Sequence, residues 1–260
     1  MSLVAWRTDG AVTRLTLNRP AALNALSEEL AAEFAAAVKR VAREKSKVVI
    51  LEGAGKAFCA GGDLAFIEKN RKRPASALAP LMRRFYGSFL SIRGLPQATI
   101  AKIHGSAVGA GLCLGLATDL RVVSDDARLG FNFVRLGLNP GMAAWPLARA
   151  AFGDARARDL LFTGRFFTGR DLYDWGAASA RAPNTEQLSA AVDGFATEIA
   201  EGSRESLRLL KAETCLGENL AAFLAHEARG QARTFKGADI VEGVAAVRER
   251  RPPLFPLPRR

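Results

Sequence analysis

Two histidines, two tyrosines and three cysteines are all that 260 residues carry of those types, and this scarcity narrows the chemistry. Cys59, Cys113 and Cys215 are odd in number and show no Cys-x-x-Cys spacing, which argues against a disulfide framework and for a reducing compartment. His104 and His226 stand apart from each other and from any paired cysteine, so a structural zinc site is not expected. No apolar run approaches the roughly 20 residues that span a bilayer. The opening residues, MSLVAWRTDG, lack the charged segment and apolar stretch of a secretory signal. A cytoplasmic protein that does not engage a membrane is the expectation.

Acidic residues are also in the minority, 26 Asp+Glu against 37 Lys+Arg for a net charge of +11. Such a balance raises nucleic acid as a partner. The densest basic clusters, Arg71–Arg73, Arg248–Arg251 and Arg259–Arg260, are scattered, and no basic helix interleaved with aromatics appears. A nucleic-acid partner is therefore not expected. Two readings of the charge stay open, a solvated Arg-rich surface and contact with an anionic cofactor such as a nucleotide phosphate.

What is present is an apolar content of 49%, enough for a full core. Strand and helix alternate through the first half. Val12–Leu17 alternates apolar and polar residues as a half-buried strand does. Ser27, followed by Glu28 and Glu29, reads as the N-cap of a helix reaching about Arg43. Val48–Leu51 and Ala98–His104 read as strands, and Leu81–Arg93 as a helix. Glu68–Ala79, polar and punctuated by proline, reads as a mobile loop over a pocket. A helix over Ala110–Ala117 and short strands at Leu120–Val123 and Arg128–Phe131 follow. From about Pro140 the pattern is helical throughout, until Pro252–Pro256 forbids helix. This is the signature of an α/β core with a helical layer at its C-terminal end.

Two runs of small residues, each following a strand, carry the most chemistry. They are Lys56–Asp63, KAFCAGGD, and Gly105–Gly115, GSAVGAGLCLG. Bare backbone can approach a ligand at both, and two convergent N–H groups are what a developing oxyanion needs. Nucleotide readings fit less well. Gly53-Ala54-Gly55-Lys56 lacks phosphate-loop spacing, with Ala57 where the metal-binding hydroxyl belongs. Gly109-Ala110-Gly111 opens a helix after a strand, as in a dinucleotide-dependent oxidoreductase, but Cys113-Leu114 stand where the third glycine belongs.

KAFCAGGDL, AKIHGSAVGAGLCLGLATDLRVVSDDARLGF, VRLGLNPGMAA, FTGRFFTGRDLYDWG and EGVAAVRERRPPLF follow one another in this order. Together they resemble the crotonase superfamily, also called the enoyl-CoA hydratase/isomerase family, over essentially the whole chain. The resemblance implies an α/β spiral of stacked ββα units over 1–195 and a helical region over 196–260 that packages a homotrimer, often doubled to a hexamer. It implies an acyl-CoA thioester as ligand, with coenzyme A part of the substrate and no separate cofactor. The thioester oxygen would sit between the N–H groups of Ala60 and Ala110, the latter at a helix start. Ala25, Gly61, Gly62, Asp63, Leu64 and Gly109 would contact substrate. Phe235 and Lys236 would reach it from a neighbouring subunit.

Family hydratases carry two glutamates that hold the adding water. The resemblance places them at Cys113 and Phe133, so both carboxylates are replaced here. Phe133 can neither take nor give a proton. Cys113 reads as a possible nucleophile or acid near a helix start, or as a small buried hydrophobe. Asn132 and Asn139 can position water or a carbonyl but are not bases. Asp63 reads as a loop-fixing residue, His104 as buried and hydrogen-bonded. Glu68 and Tyr86 flank the expected mobile segment. Enolate chemistry with fewer ionisable groups and acyl-CoA binding without turnover both fit; two-carboxylate hydration does not.

Overall fold

The chain begins with a hairpin. β1, Val4–Asp9, runs antiparallel to β2, Val12–Leu17. The computed structural model describes residues 2–202, 204–214 and 220–251. Cys215, residues 252–256, Arg259 and Arg260 lie outside them, as does the side chain of His226. β1 has no counterpart in the sequence reading. Only Val4 of its six residues is buried, so it shows no alternation to detect.

α1, Glu28–Val41, starts as expected, with the Ser27 hydroxyl accepting from the Leu30 N–H at 3.2 Å. Leu30, Phe34, Val38 and Val41 form its buried stripe. β3, Val48–Gly53, leads into the first small-residue run, and α2, Leu64–Asn70, follows directly. α3, Ala75–Leu90, begins after a gap of four residues. Most of the segment expected to be a mobile loop is therefore helix, despite Pro80 inside α3. Leu78, Leu81, Met82, Phe85 and Phe89 bury one face of α3, and that packing outweighs the hydrogen bond the proline cannot donate.

The next stretch repeats one unit. β4, Ala98–Ile103, is followed by β5, Ser106–Val108, and then α4, Ala110–Leu116. β6, Leu120–Ser124, is followed by β7, Arg128–Gly130, a 3-10 turn at Val134–Leu136 and α5, Ala144–Thr163. The first strand of each unit joins one sheet and the second joins another. β3 obeys the same pattern, because Cys59 after it bridges to Ala107 of β5 before α2 starts. This is the spiral of ββα units.

The region after Pro140 is not wholly helical, which corrects the sequence reading. β8, Phe166–Thr168, pairs antiparallel with β7. α6, Gly169–Asp174, opens with a capping box between Thr168 and Asp171. β9, Ala180–Ala182, pairs parallel with β6. Three-residue strands are too short to show a period of two. The large sheet has the order β1-β2-β3-β4-β6-β9, and the small one β5-β7-β8.

α7, Thr185–Glu201, lies on the large sheet, burying Leu188, Val192 and Ala196 against Val48, Ile50, Ile100 and Val122. It runs through the 195/196 position at which the sequence was divided. α8, Arg204–Thr214, is anchored by Lys211, whose ammonium lies 2.6 and 2.7 Å from the two Asp119 oxygens. Asp119 also accepts from the Thr99 N–H and hydroxyl, each at 2.8 Å. α9, Leu220–Thr234, packs on α3 of its own chain and buries Leu224, Ala228 and Ala232. α10, Ala238–Glu249, is tied to α2 by the Arg248–Glu68 ion pair at 2.5 Å.

Candidate active site

The two small-residue runs meet side by side. The Cys59 N–H donates to Ser106 O at 2.9 Å, and the Val108 N–H donates to Cys59 O at 3.1 Å. The contact is tight because side chains are missing. A Cβ on Gly111 would lie 2.2 Å from Cys59 O, and one on Gly61, whose φ is +99°, would lie 2.6 Å from Val108 O. Gly111→Ala should therefore push backbone against backbone and cost about 3 kcal/mol. A lowered denaturant midpoint with an unchanged slope would show this; an unchanged midpoint would mean that the loops part easily.

A turn upstream fixes the first run. Leu23 and Asn24 both sit at positive φ, 49° and 57°. The fully buried Asn24 amide donates to Ala54 O at 2.9 Å and Ala57 O at 2.8 Å. Its oxygen accepts from the Arg19 N–H at 2.9 Å. Arg19 in turn donates to Ala25 O at 2.9 Å and pairs with Asp63 at 2.5 Å. Asp63 is also the N-cap of α2, accepting from the Ala65 N–H at 2.8 Å. The carboxylate holds the loop, as the sequence suggested.

This framework decides which N–H groups face the cavity. The Ala60 N–H donates to Leu23 O at 2.9 Å, so the expected donor is already engaged, and that assignment is corrected. Leu26 bridges in parallel to Gly62: its N–H donates to Gly61 O at 2.7 Å, and its carbonyl accepts from the Asp63 N–H at 3.1 Å. A parallel bridge uses the groups on either side of the bridged residue. The Gly62 N–H thus points the other way and has no acceptor among the described residues. The Ala110 N–H, at the first residue of α4, has none either, whereas the Gly109 N–H on its flank donates to Gly130 O at 2.8 Å. A Cβ built on Gly61 would stand 3.8 Å from the Ala110 nitrogen.

Gly62 and Ala110 lie on the wall of a cavity of about 400 Å³. Ala25, Ala60, Gly61, Asp63, Leu64 and Gly109 line it as well. Phe133 is there too, only 6% exposed. Cys113 is not: it is fully buried, and its sulfur lies 3.9 Å from Gly141 O. Of its two readings, the small buried hydrophobe holds. Burial pushes the Cys59 thiol up to about 12, and that thiol donates to Asn24 O.

Phe235 lines the cavity of its own chain, because α9 folds back over α3. Lys236 lies outside, donating to Arg71 O at 2.7 Å. His104 is buried, with Nε2 at 2.9 Å from Gly55 O, and lines no part of the cavity. Glu68 is spent on Arg248, whereas Tyr86 does form wall.

Sequence reasoning missed Met82, Phe85, Leu138 and Gln231. Phe85 stacks on Phe66 with ring centroids 4.7 Å apart. The apolar face of α3 was the available signal, but nothing local told cavity wall from core. Asp63 and Tyr86 are the ionisable side chains on this wall among the described residues.

Comparison with known proteins agrees with this architecture. The family model for enoyl-CoA hydratase/isomerase matches residues 7–256. A 1,2-epoxyphenylacetyl-CoA isomerase of Escherichia coli is 32% identical, covering 98% of both chains. The human mitochondrial enoyl-CoA hydratase domain-containing protein 2 is 32% identical over 95% of this chain and 86% of its own. The solved structure of an enoyl-CoA hydratase from Mycobacterium avium subsp. paratuberculosis superimposes with a TM-score of 0.81 at 26% identity, covering 98% of each chain. With a match this long and a spiral of the same kind, the chain belongs to the enoyl-CoA hydratase/isomerase family.

Proposed function

We propose that this protein binds an acyl-CoA thioester and stabilises the enolate formed from it, using the Gly62 and Ala110 N–H groups as the oxyanion hole. The observation that carries this reading is the pair of uncommitted N–H groups on one cavity wall. Donors fixed before the reaction favour the enolate oxygen over the neutral carbonyl, because they need not reorganise as charge develops. The apolar wall from Phe66, Phe85 and Leu138 suits an acyl chain and strengthens those hydrogen bonds by excluding water.

The wall is poor in groups that move protons. Asp63 is tied to Arg19 and the α2 N-terminus, which leaves Tyr86 as the other ionisable side chain there. This favours isomerisation, decarboxylation or thioester cleavage over addition of water by a carboxylate pair. The names of the relatives, hydratase and isomerase, fit the same thioester chemistry. Acyl-CoA binding without turnover is the second reading, favoured by the same scarcity.

Calorimetry with crotonyl-CoA and with free crotonate tests the ligand class. Crotonyl-CoA should bind at micromolar concentration and crotonate at least about 100-fold more weakly, since most of the contact surface belongs to coenzyme A. Equal affinity for the two would end the proposal. α-Proton exchange in D₂O then separates enolate formation from binding alone.

A further inference from the structure

A second cavity, of about 790 Å³, adjoins the first and shares Leu23, Ala60, Asn132, Leu136 and Val247 with it. Its charge sets it apart: Arg128, Arg135, Arg250 and Arg251 line it, and no acidic side chain does among the described residues. Arg251 is neutralised by Glu242 at 2.6 Å and Glu249 at 2.5 Å. The other three have no carboxylate partner among the described residues. Two of them are nonetheless held in place. The Arg128 guanidinium lies 3.7 Å from the centroid of the Phe166 ring. The Arg135 Nε donates to Thr163 O at 2.9 Å, which leaves the outer nitrogens of its fork for another acceptor.

Exposed arginines are ordinary, but here three guanidinium groups without a carboxylate partner among the described residues line one concavity, and like charges repel. An anion between them relieves that repulsion. The position of the groove relative to the N–H pair says which anion. Asn132, on the shared wall, has its side-chain oxygen 3.1 Å from where a Cβ on Gly109 would stand, beside the Ala110 donor. Asn132 adjoins Phe133, the position the family resemblance sets against the reacting acyl carbons. Asp63 and Leu64, which the family resemblance sets against the adenine of coenzyme A, line the first cavity and not the second. The groove therefore leaves the thioester on its acyl side.

We infer that this groove is a subsite for the far end of the acyl group, and that the substrate is a dicarboxylic acyl-CoA whose free carboxylate is taken by Arg128, Arg135 and Arg250. The inference rests on the thioester reading above and narrows its substrate class. Arg135 supplies a planar fork matched to a carboxylate, and Arg128, held over the Phe166 ring, lines the same groove.

The test pairs acyl-CoAs of equal length with and without the terminal carboxylate, measured by calorimetry. The pairs are succinyl- with butyryl-CoA, glutaryl- with pentanoyl-CoA and adipyl- with hexanoyl-CoA. In at least one pair the dicarboxylic ester should bind about tenfold more tightly, the scale of a charge-assisted contact reduced by exposure. The preference should fall to about twofold or less in Arg128→Gln/Arg135→Gln, return in part in Arg128→Lys/Arg135→Lys, and leave the affinity for free coenzyme A unchanged. Arg250→Gln, beyond the last turn of α10, gives an independent variant should the double one melt early. No preference in any pair overturns the inference while leaving the thioester reading intact. Equal weakening of coenzyme A and all its esters overturns it by placing coenzyme A phosphates in the groove. Absence of binding by every ester overturns both readings.

Discussion

Crotonyl-CoA incubated with this protein should keep its enoyl-thioester absorbance, with any hydration at least about a thousandfold slower than the ~10 s⁻¹ typical of enzymes. Adding water across the double bond needs one group to take a proton from water and one to deliver a proton to the α-carbon. Each such group is worth roughly 10²–10⁴ in rate, and a pair acting on one water loses less than the product when both are missing. The cavity wall holds Phe133 and apolar neighbours where such chemistry would occur, and its carboxylate, Asp63, is locked to Arg19 and the Ala65 N–H. Loss of absorbance at an ordinary enzymatic rate would mean that Tyr86, or a bound water held by Asn132, does what no carboxylate here can do.

Gly62→Pro should abolish the protein's ability to exchange the α-protons of a bound acyl-CoA, by about 10²–10³-fold. The substitution deletes one N–H and puts the ring Cδ where its hydrogen stood. Gly62→Ala is the matching control. The backbone at Gly62 is not in the left-handed region, and a Cβ there meets only Ile67 Cδ1, at 3.7 Å, so alanine keeps the donor in an unstrained setting. Exchange measured by mass spectrometry in D₂O should therefore persist in the alanine variant and vanish in the proline variant, with thermal midpoints compared to confirm that both fold. Exchange surviving in a folded Gly62→Pro protein would move the oxyanion hole elsewhere.

The place of the candidate site is legible in the sequence because the cause of its bare backbone is local. Small residues at the ends of two strands leave backbone bare, and the spacing of KAFCAGGD and GSAVGAGLCLG is visible without any tertiary knowledge. Which N–H serves is a different matter. The Leu23 carbonyl takes the Ala60 N–H, while the Leu26 carbonyl takes that of Asp63 and passes Gly62 by, and both depend on a turn held by Asn24 reaching Ala54 and Ala57. No window of sequence contains that contact. The same holds for α3, where the polar and proline signals of Glu68–Ala79 were real but weaker than the burial of Leu78 and Met82. β8 and β9 exist because β7 and β6 offer them free edges, which their own three residues do not announce. Cys113 stands at the right spacing, yet the roof it touches, Gly141, lies 28 residues away.

Phe235 closes the cavity from within its own chain, and this has a genetic consequence. Every polypeptide carries both the N–H pair and a Phe235 on the wall of the same cavity, so a cavity has its own without borrowing one. A lesion at Gly62 in one copy and a lesion at Phe235 in another would leave two damaged sites, with neither copy lending the other its intact part. Complementation between defective alleles, the hallmark of sites shared across an interface, is closed to these two positions.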